Sequence, residues 1–81
     1  MSPRLRRLSA RQVLAVLGRF GFEVVATRGS HAKLRREGPG GVREILTVPL
    51  HRELAPGTLR AIFRQAARFV PEDELRPHFF A

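Results

Sequence analysis

Two stretches of the chain place apolar residues at helical spacing, and three short stretches between them are rich in β-branched residues. Val13, Leu14, Leu17 and Phe20 share one helical face. Ser9 followed by Gln12 has the spacing of a capping box, with Leu8 and Val13 placed as a hydrophobic staple. Gly21 is a natural stop. Gly18, inside this helix, costs about 1 kcal/mol relative to Ala, and its presence predicts a close approach by another element. Leu59, Ile62, Phe63, Ala66 and Val70 define a second helix, predicted over 58–70 and stopped by Pro71. Between the two lie FEVVATR (22–28), HAKLRRE (31–37) and REILTVPL (43–50), which predict three strands. Gly29-Ser30 joins the first two strands as a tight turn, and Gly38 to Gly41 forms a longer loop. Pro71 followed by Glu72, Asp73 and Glu74 predicts a short third helix, because proline and acids favour a first helical turn. The final RPHFFA reads as a tail whose phenylalanines tuck against the body.

A three-stranded antiparallel sheet needs an apolar cover on at least one face. Both amphipathic helices can supply it from the same side, leaving the other face open. The expectation is an α+β, two-layer α-β-β-β-α sandwich with a short C-terminal helix, in the manner of double-stranded-RNA-binding domains. The expected division is a basic N-terminal lead (1–7), readable only as a basic tail, a domain (8–70), and an acidic and aromatic tail (71–81) packed on it.

Charge sharpens this picture. The 81 residues carry 15 basic and 7 acidic side chains, a net charge of +8, and 14 of the bases are arginine. Residues 1–36 hold nine bases and one acid, Glu23, whereas residues 37–81 hold six of each. A single-sign field on one part of a small domain points to a phosphate-rich or acidic partner. Arginine fits phosphate through its planar, permanently charged fork. With no cysteine, disulfides, thiolate metal sites and thiol nucleophiles are excluded. No apolar run is long enough for a membrane span, so the expected location is the cytoplasm.

The candidate chemistry lies in TRGSHAKLRR, Thr27 to Arg36. Alternation along the second strand puts Ala32 and Leu34 toward the helices, and His31, Lys33 and Arg35 on the open face; Arg28, before the turn, can join them. Histidine exchanges its proton near neutral pH and is a usable general base. Beside cations it could activate the 2′-hydroxyl of RNA against the adjacent phosphate without a metal. Gly29 would allow close backbone approach, and Ser30 offers a hydroxyl and an N–H to a phosphate oxygen. The plainer reading is an exposed histidine at a strand start, and the local pattern leaves both open.

A longer stretch adds a resemblance. VPLHRELAPGTLRAIFRQA, Val48 to Ala67, together with Gly29-Ser30-His31 and the Gly21-Phe22 step into the first strand, resembles the HicA family of bacterial mRNA-interferase toxins. The likeness runs from about Leu8 to Ala67. It implies a double-stranded-RNA-binding-like fold and ribosome-independent, metal-free cleavage of mRNA. It makes His31 the catalytic residue and implies a HicB-type antitoxin as protein partner, with no cofactor. The basic lead, the glycine-rich loop and the acidic tail depart from the family pattern.

The remaining candidates are weaker. His51 could be a second proton-transfer group or phosphate contact, but a purely structural role is the simpler reading. Arg60 and Arg64, continued by Arg68, form a basic stripe on the second helix, suited to phosphates or acids or simply solvated. His78 is incidental, and the wide spacing of the three histidines gives no metal site. GPGG joins two strands rather than two helices, which argues against a KH-type RNA clamp, and its glycines read as turn residues. Two further functions stay open beside the ribonuclease: a non-catalytic RNA-binding module, and a structural protein whose basic face docks an acidic chain.

Overall fold

In a computed structural model, which describes residues 3–81, the elements follow the expected order. They are α1 (Ala10–Arg19), β1 (Glu23–Arg28), β2 (His31–Glu37), a single 3-10 turn at Pro39–Gly41, β3 (Arg43–Pro49), α2 (Pro56–Ala66) and α3 (Glu72–Phe79). The sheet is antiparallel in the order β1-β2-β3. The fold is therefore the α+β sandwich of double-stranded-RNA-binding type, with an open sheet. The lead's first two residues, Met1 and Ser2, lie outside the described residues.

Local chemistry accounts for both ends of α1. The Ser9 hydroxyl accepts from the Gln12 backbone N–H at 3.1 Å, while Gln12 Oε1 accepts from the Ser9 N–H at 2.9 Å. At the other end the Phe22 N–H donates to the Leu17 carbonyl and the Gly21 N–H to the Gly18 carbonyl, both at 3.1 Å. This is the Schellman arrangement, and it requires the positive φ of +94° that Gly21 adopts. Gly18 departs from expectation. It is exposed, and a Cβ built there would meet nothing within 4 Å, so no element approaches it.

The helices pack on one face of the sheet, where Ala32, Leu34, Leu46 and Val48 join Val13, Leu17, Leu59, Ile62 and Phe63 in the core. They reach β3 but leave β1 uncovered, and all six residues of β1 are exposed. A bulge at Val25 interrupts the β1–β2 ladder, whereas β2 and β3 pair one for one from His31–Pro49 to Glu37–Arg43.

Arg36 breaks the simple division into an apolar and a basic face. It follows Ala32 and Leu34 on the helix side of β2 and pairs with the buried Glu44 of β3 at 2.6 Å. Its guanidinium also donates to the carbonyls of Phe20 and Phe69, each at 2.9 Å, and lies over the Phe22 ring. One side chain thus joins the end of α1, two strands and the segment between α2 and α3. That capture helps end α2 at Ala66 rather than at the expected Val70: residues 67–69 turn so that the Phe69 carbonyl faces Arg36, and Pro71 disfavours helical backbone at Val70.

The termini close the other side of the core. Helix α3 does not stop after Leu75 as expected, but continues through Pro77 to bury Phe79 completely. Phe63 stacks edge-on against both Phe79 and Phe80. The segment preceding Leu8 is not a free tail. Arg4 and Ala81 exchange backbone hydrogen bonds at 2.9 and 2.7 Å, and the Arg6 N–H donates to the Phe79 carbonyl at 2.7 Å. Leu5 and Phe80 form a bridge between them and both pack on the core.

Two outcomes test this account. Gly38 has ordinary extended backbone, yet a Cβ there would collide with the Glu44 carboxylate. Gly38→Ala is therefore expected to cost about 2 kcal/mol in urea unfolding by disturbing the Arg36–Glu44 pair. In a Glu44→Ala background the same change becomes neutral or stabilising by about 0.5 kcal/mol; equal costs in both backgrounds would refute the collision. Phe79→Ala is expected to cost about 3 to 5 kcal/mol, and a change below 1 kcal/mol would remove α3 from the cooperative core.

Candidate functional site

The β1–β2 hairpin builds the site. Arg28 faces His31 across a two-residue loop, and Gly29 there has φ +58°. Ser30 has no positive φ, so the loop carries the sign pattern of a type II′ turn, with glycine at its first central position. Nothing would obstruct a Cβ at Gly29, so backbone conformation rather than space calls for glycine. The Leu50 N–H donates to the Ser30 carbonyl at 2.6 Å, tying the turn to the end of β3.

Cross-strand partners share a face. His31 therefore lies between Arg28 of β1 and Pro49 of β3 on the open face. Lys33 follows beside Thr47, and Arg35 lies between Glu23 and Ile45. All of these but the half-buried Pro49 are exposed. Among the described residues the ion pairs are Arg36–Glu44 and Arg76–Glu72. Arg28, Lys33 and Arg35 consequently face solvent without a carboxylate partner, with the imidazole at the end of their row. A polyanion laid along β2 would meet three uncommitted cations and one exposed base.

The candidates in the second half of the chain are placed apart from this row. His51 is exposed beyond the end of β3, and its backbone carbonyl accepts from the Ala10 N–H at 3.0 Å, which fastens the connector to α1. Arg60 and Arg64 are exposed on α2, in the layer opposite the open face. Arg68 lies past the helix end, over the Phe69 ring, so the expected stripe is cut short. His78 packs edge-on against Phe20. Among the described residues no cluster of three or more His, Cys, Asp or Glu side chains could hold a metal ion.

The sequence reading missed Thr47 and Ile45 as parts of the open face. The signal was available, because period-two alternation in β3 sets both opposite the buried Leu46 and Val48. The charge total of residues 1–36 includes Arg36, although the same alternation in β2 turns Arg36 to the core.

A model of the family described as the HicA toxin of bacterial toxin–antitoxin systems matches residues 10–67. Searches of curated proteins and of solved structures return no significant match. The matched region begins at the first residue of α1, contains all three strands with the Gly29-Ser30-His31 turn, and ends one residue past α2. It covers well over half of the chain, so the chain belongs to the HicA family of toxins from bacterial toxin–antitoxin systems.

Proposed function

We propose that this toxin is a metal-independent endoribonuclease that inhibits translation by cleaving mRNA, with His31 as general base. The observation that carries the reading is the row formed by Arg28, His31, Lys33 and Arg35: an exposed imidazole beside cations, none of which forms an ion pair among the described residues.

In this reading RNA lies along β2 with a phosphate against Arg28 and Lys33. His31 takes the proton from the neighbouring 2′-hydroxyl. The 2′-oxygen then attacks phosphorus, the bond to the 5′-oxygen breaks, and that oxygen leaves with a proton from water. The products are a 2′,3′-cyclic phosphate and a 5′-hydroxyl. The cations stabilise the extra negative charge of the phosphorane, and tethering the nucleophile beside its target removes much of the entropic barrier. Gly29 and the Ser30 N–H and hydroxyl hold the phosphate close to the turn, and Arg35 extends the contact along the strand. The protein partner is a HicB-type antitoxin whose acidic surface covers the basic open face, and the setting is the cytoplasm.

The expected result with labelled single-stranded RNA in EDTA is scission by the wild type, leaving a cyclic phosphate, and a loss of about 10²- to 10⁴-fold in His31→Ala. A folded His31→Ala protein cutting at the wild-type rate would remove His31 from the mechanism. If both proteins bind RNA and neither cuts it, the chain is a non-catalytic binding module. Gly29→Ala is expected to cost about 1 to 2 kcal/mol in stability, because a non-glycine residue resists positive φ. It should also slow cleavage by shifting His31; unchanged stability and rate would show that the turn does not position the base.

A further inference from the structure

The lead that precedes the family-matched region is basic, and it is held in place. Pro3 to Arg7 run along one wall of an open groove of about 810 Å³. The other wall is the end of the connector and the first turn of α2, with Glu53 and Arg60 as its charged residues. Four arginines, Arg4, Arg6, Arg7 and Arg60, thus line the groove with one glutamate, and among the described residues none of them is in an ion pair. Arg6 donates through Nε to the Pro77 carbonyl, which leaves its terminal nitrogens free. The pairing of residues 4–6 with 79–81 has already ordered this backbone, so a ligand need not immobilise a flexible tail.

This groove lies at the His31 end of the sheet. His31 pairs with Pro49, the Leu50 N–H is bound by the Ser30 carbonyl, and the Leu54 N–H by the Leu8 carbonyl. Glu53 follows Pro49 by four positions in the chain, a span of at most about 14 Å. Between the two lies a second groove of about 530 Å³ with Arg11, His51 and Arg52 on its walls. We propose that the lead and the start of α2 form a second phosphate-binding groove, which receives the RNA strand as it passes from His31 around the end of the sheet. The proposal rests on the ribonuclease reading for the direction of the strand.

The groove's chemistry favours a nucleic-acid backbone over a protein. Protein interfaces are anchored by aromatic or large apolar side chains in desolvated pockets. Of the groove's large apolar lining residues, Leu54 and Leu59 are buried and Leu5 packs on the core, and none of the large exposed hydrophobic residues, Val24, Val25, Val42, Ile45 and Leu50, lines it. What it offers instead is a row of arginines suited to successive phosphates.

The test measures binding rather than cleavage, using 2′-O-methyl RNA, which lacks the attacking hydroxyl. A trinucleotide and a strand of about 16 nucleotides, the upper range of single-strand site sizes, are compared. The variants are R4Q/R7Q and, as a charge-matched control away from both the groove and the open face, R19Q/R68Q, with folding checked by circular dichroism. The expected result is that R4Q/R7Q loses much of the affinity gained from the trinucleotide to the longer strand. Its salt slope should fall by about 1.4, so that the wild type loses about sevenfold more affinity than the variant between 50 and 200 mM salt. The control should keep the wild-type slope to within half that change.

Equal losses in both variants would mean general electrostatics and overturn the groove. Unchanged RNA binding by R4Q/R7Q, with weakened binding of a polyglutamate peptide, would assign the groove to an acidic protein and overturn it also. Unchanged binding of both probes would leave the arginines solvated and equally refute it. In these cases wild-type RNA binding leaves the ribonuclease reading intact, whereas a wild type that binds neither strand overturns both.

Discussion

The structure depends on Arg36 being satisfied on the core side of the sheet. Its guanidinium meets Glu44 and the carbonyls of Phe20 and Phe69, and rests on Phe22. Taking an ion pair out of water is costly and repays itself only when the geometry is good and the remaining donors are bonded. Both conditions hold, and among the described residues no buried side-chain nitrogen or oxygen lacks a partner. The pair closes the far end of the core, where α1 has ended and the chain turns from α2 into α3. Gly38 serves the same pair by leaving room for the Glu44 carboxylate.

With Arg36 taken inward, the two faces of β2 separate cleanly. One is core, and the other carries the imidazole and amino or guanidinium groups with no internal use. Unpaired cations on a rigid strand are poised for an external anion, because neither an ion pair nor side-chain packing has to be broken for contact. β1 is different in kind. It is exposed on both faces and bulged at Val25, so the ladder to β2 is its main tie to the fold, and it holds Arg28 opposite His31. The hairpin and its glycine turn are thus both scaffold and site.

The family-matched region and the termini divide the labour. Residues 10–67 contain the sheet and both covering helices, but the core remains open until Leu75 and Phe79 fill it from α3. Burying a full phenylalanine side chain is worth about 1.5 to 3 kcal/mol, and together with Leu75 and the pairing to the lead it offsets a proline within the helix. The same pairing orders three arginines of the lead along a groove. A segment outside the family pattern therefore contributes to the core and to the surface at once.

Much of this was written in short-range pattern. Ser9 with Gln12, Leu17 with Gly21 and Phe22, and the Gly29-Ser30 turn act over two to five residues, so their geometry follows from neighbours in the chain. Period-two alternation likewise sets His31, Lys33 and Arg35 on the open face. The sequence by itself determined the order of elements, the hairpin and the direction of its candidate base. Only the tertiary structure decided that Arg36 is internal, that α2 stops at Ala66, that α3 passes through Pro77, that Gly18 meets open space and that the lead is pinned. Apart from Gly18, these outcomes depend on partners 8 to 77 residues away, such as Glu44, Phe69, Phe79 and Ala81. Local propensity carries no term for such partners; hydrogen bonding and burial across the folded core supply it.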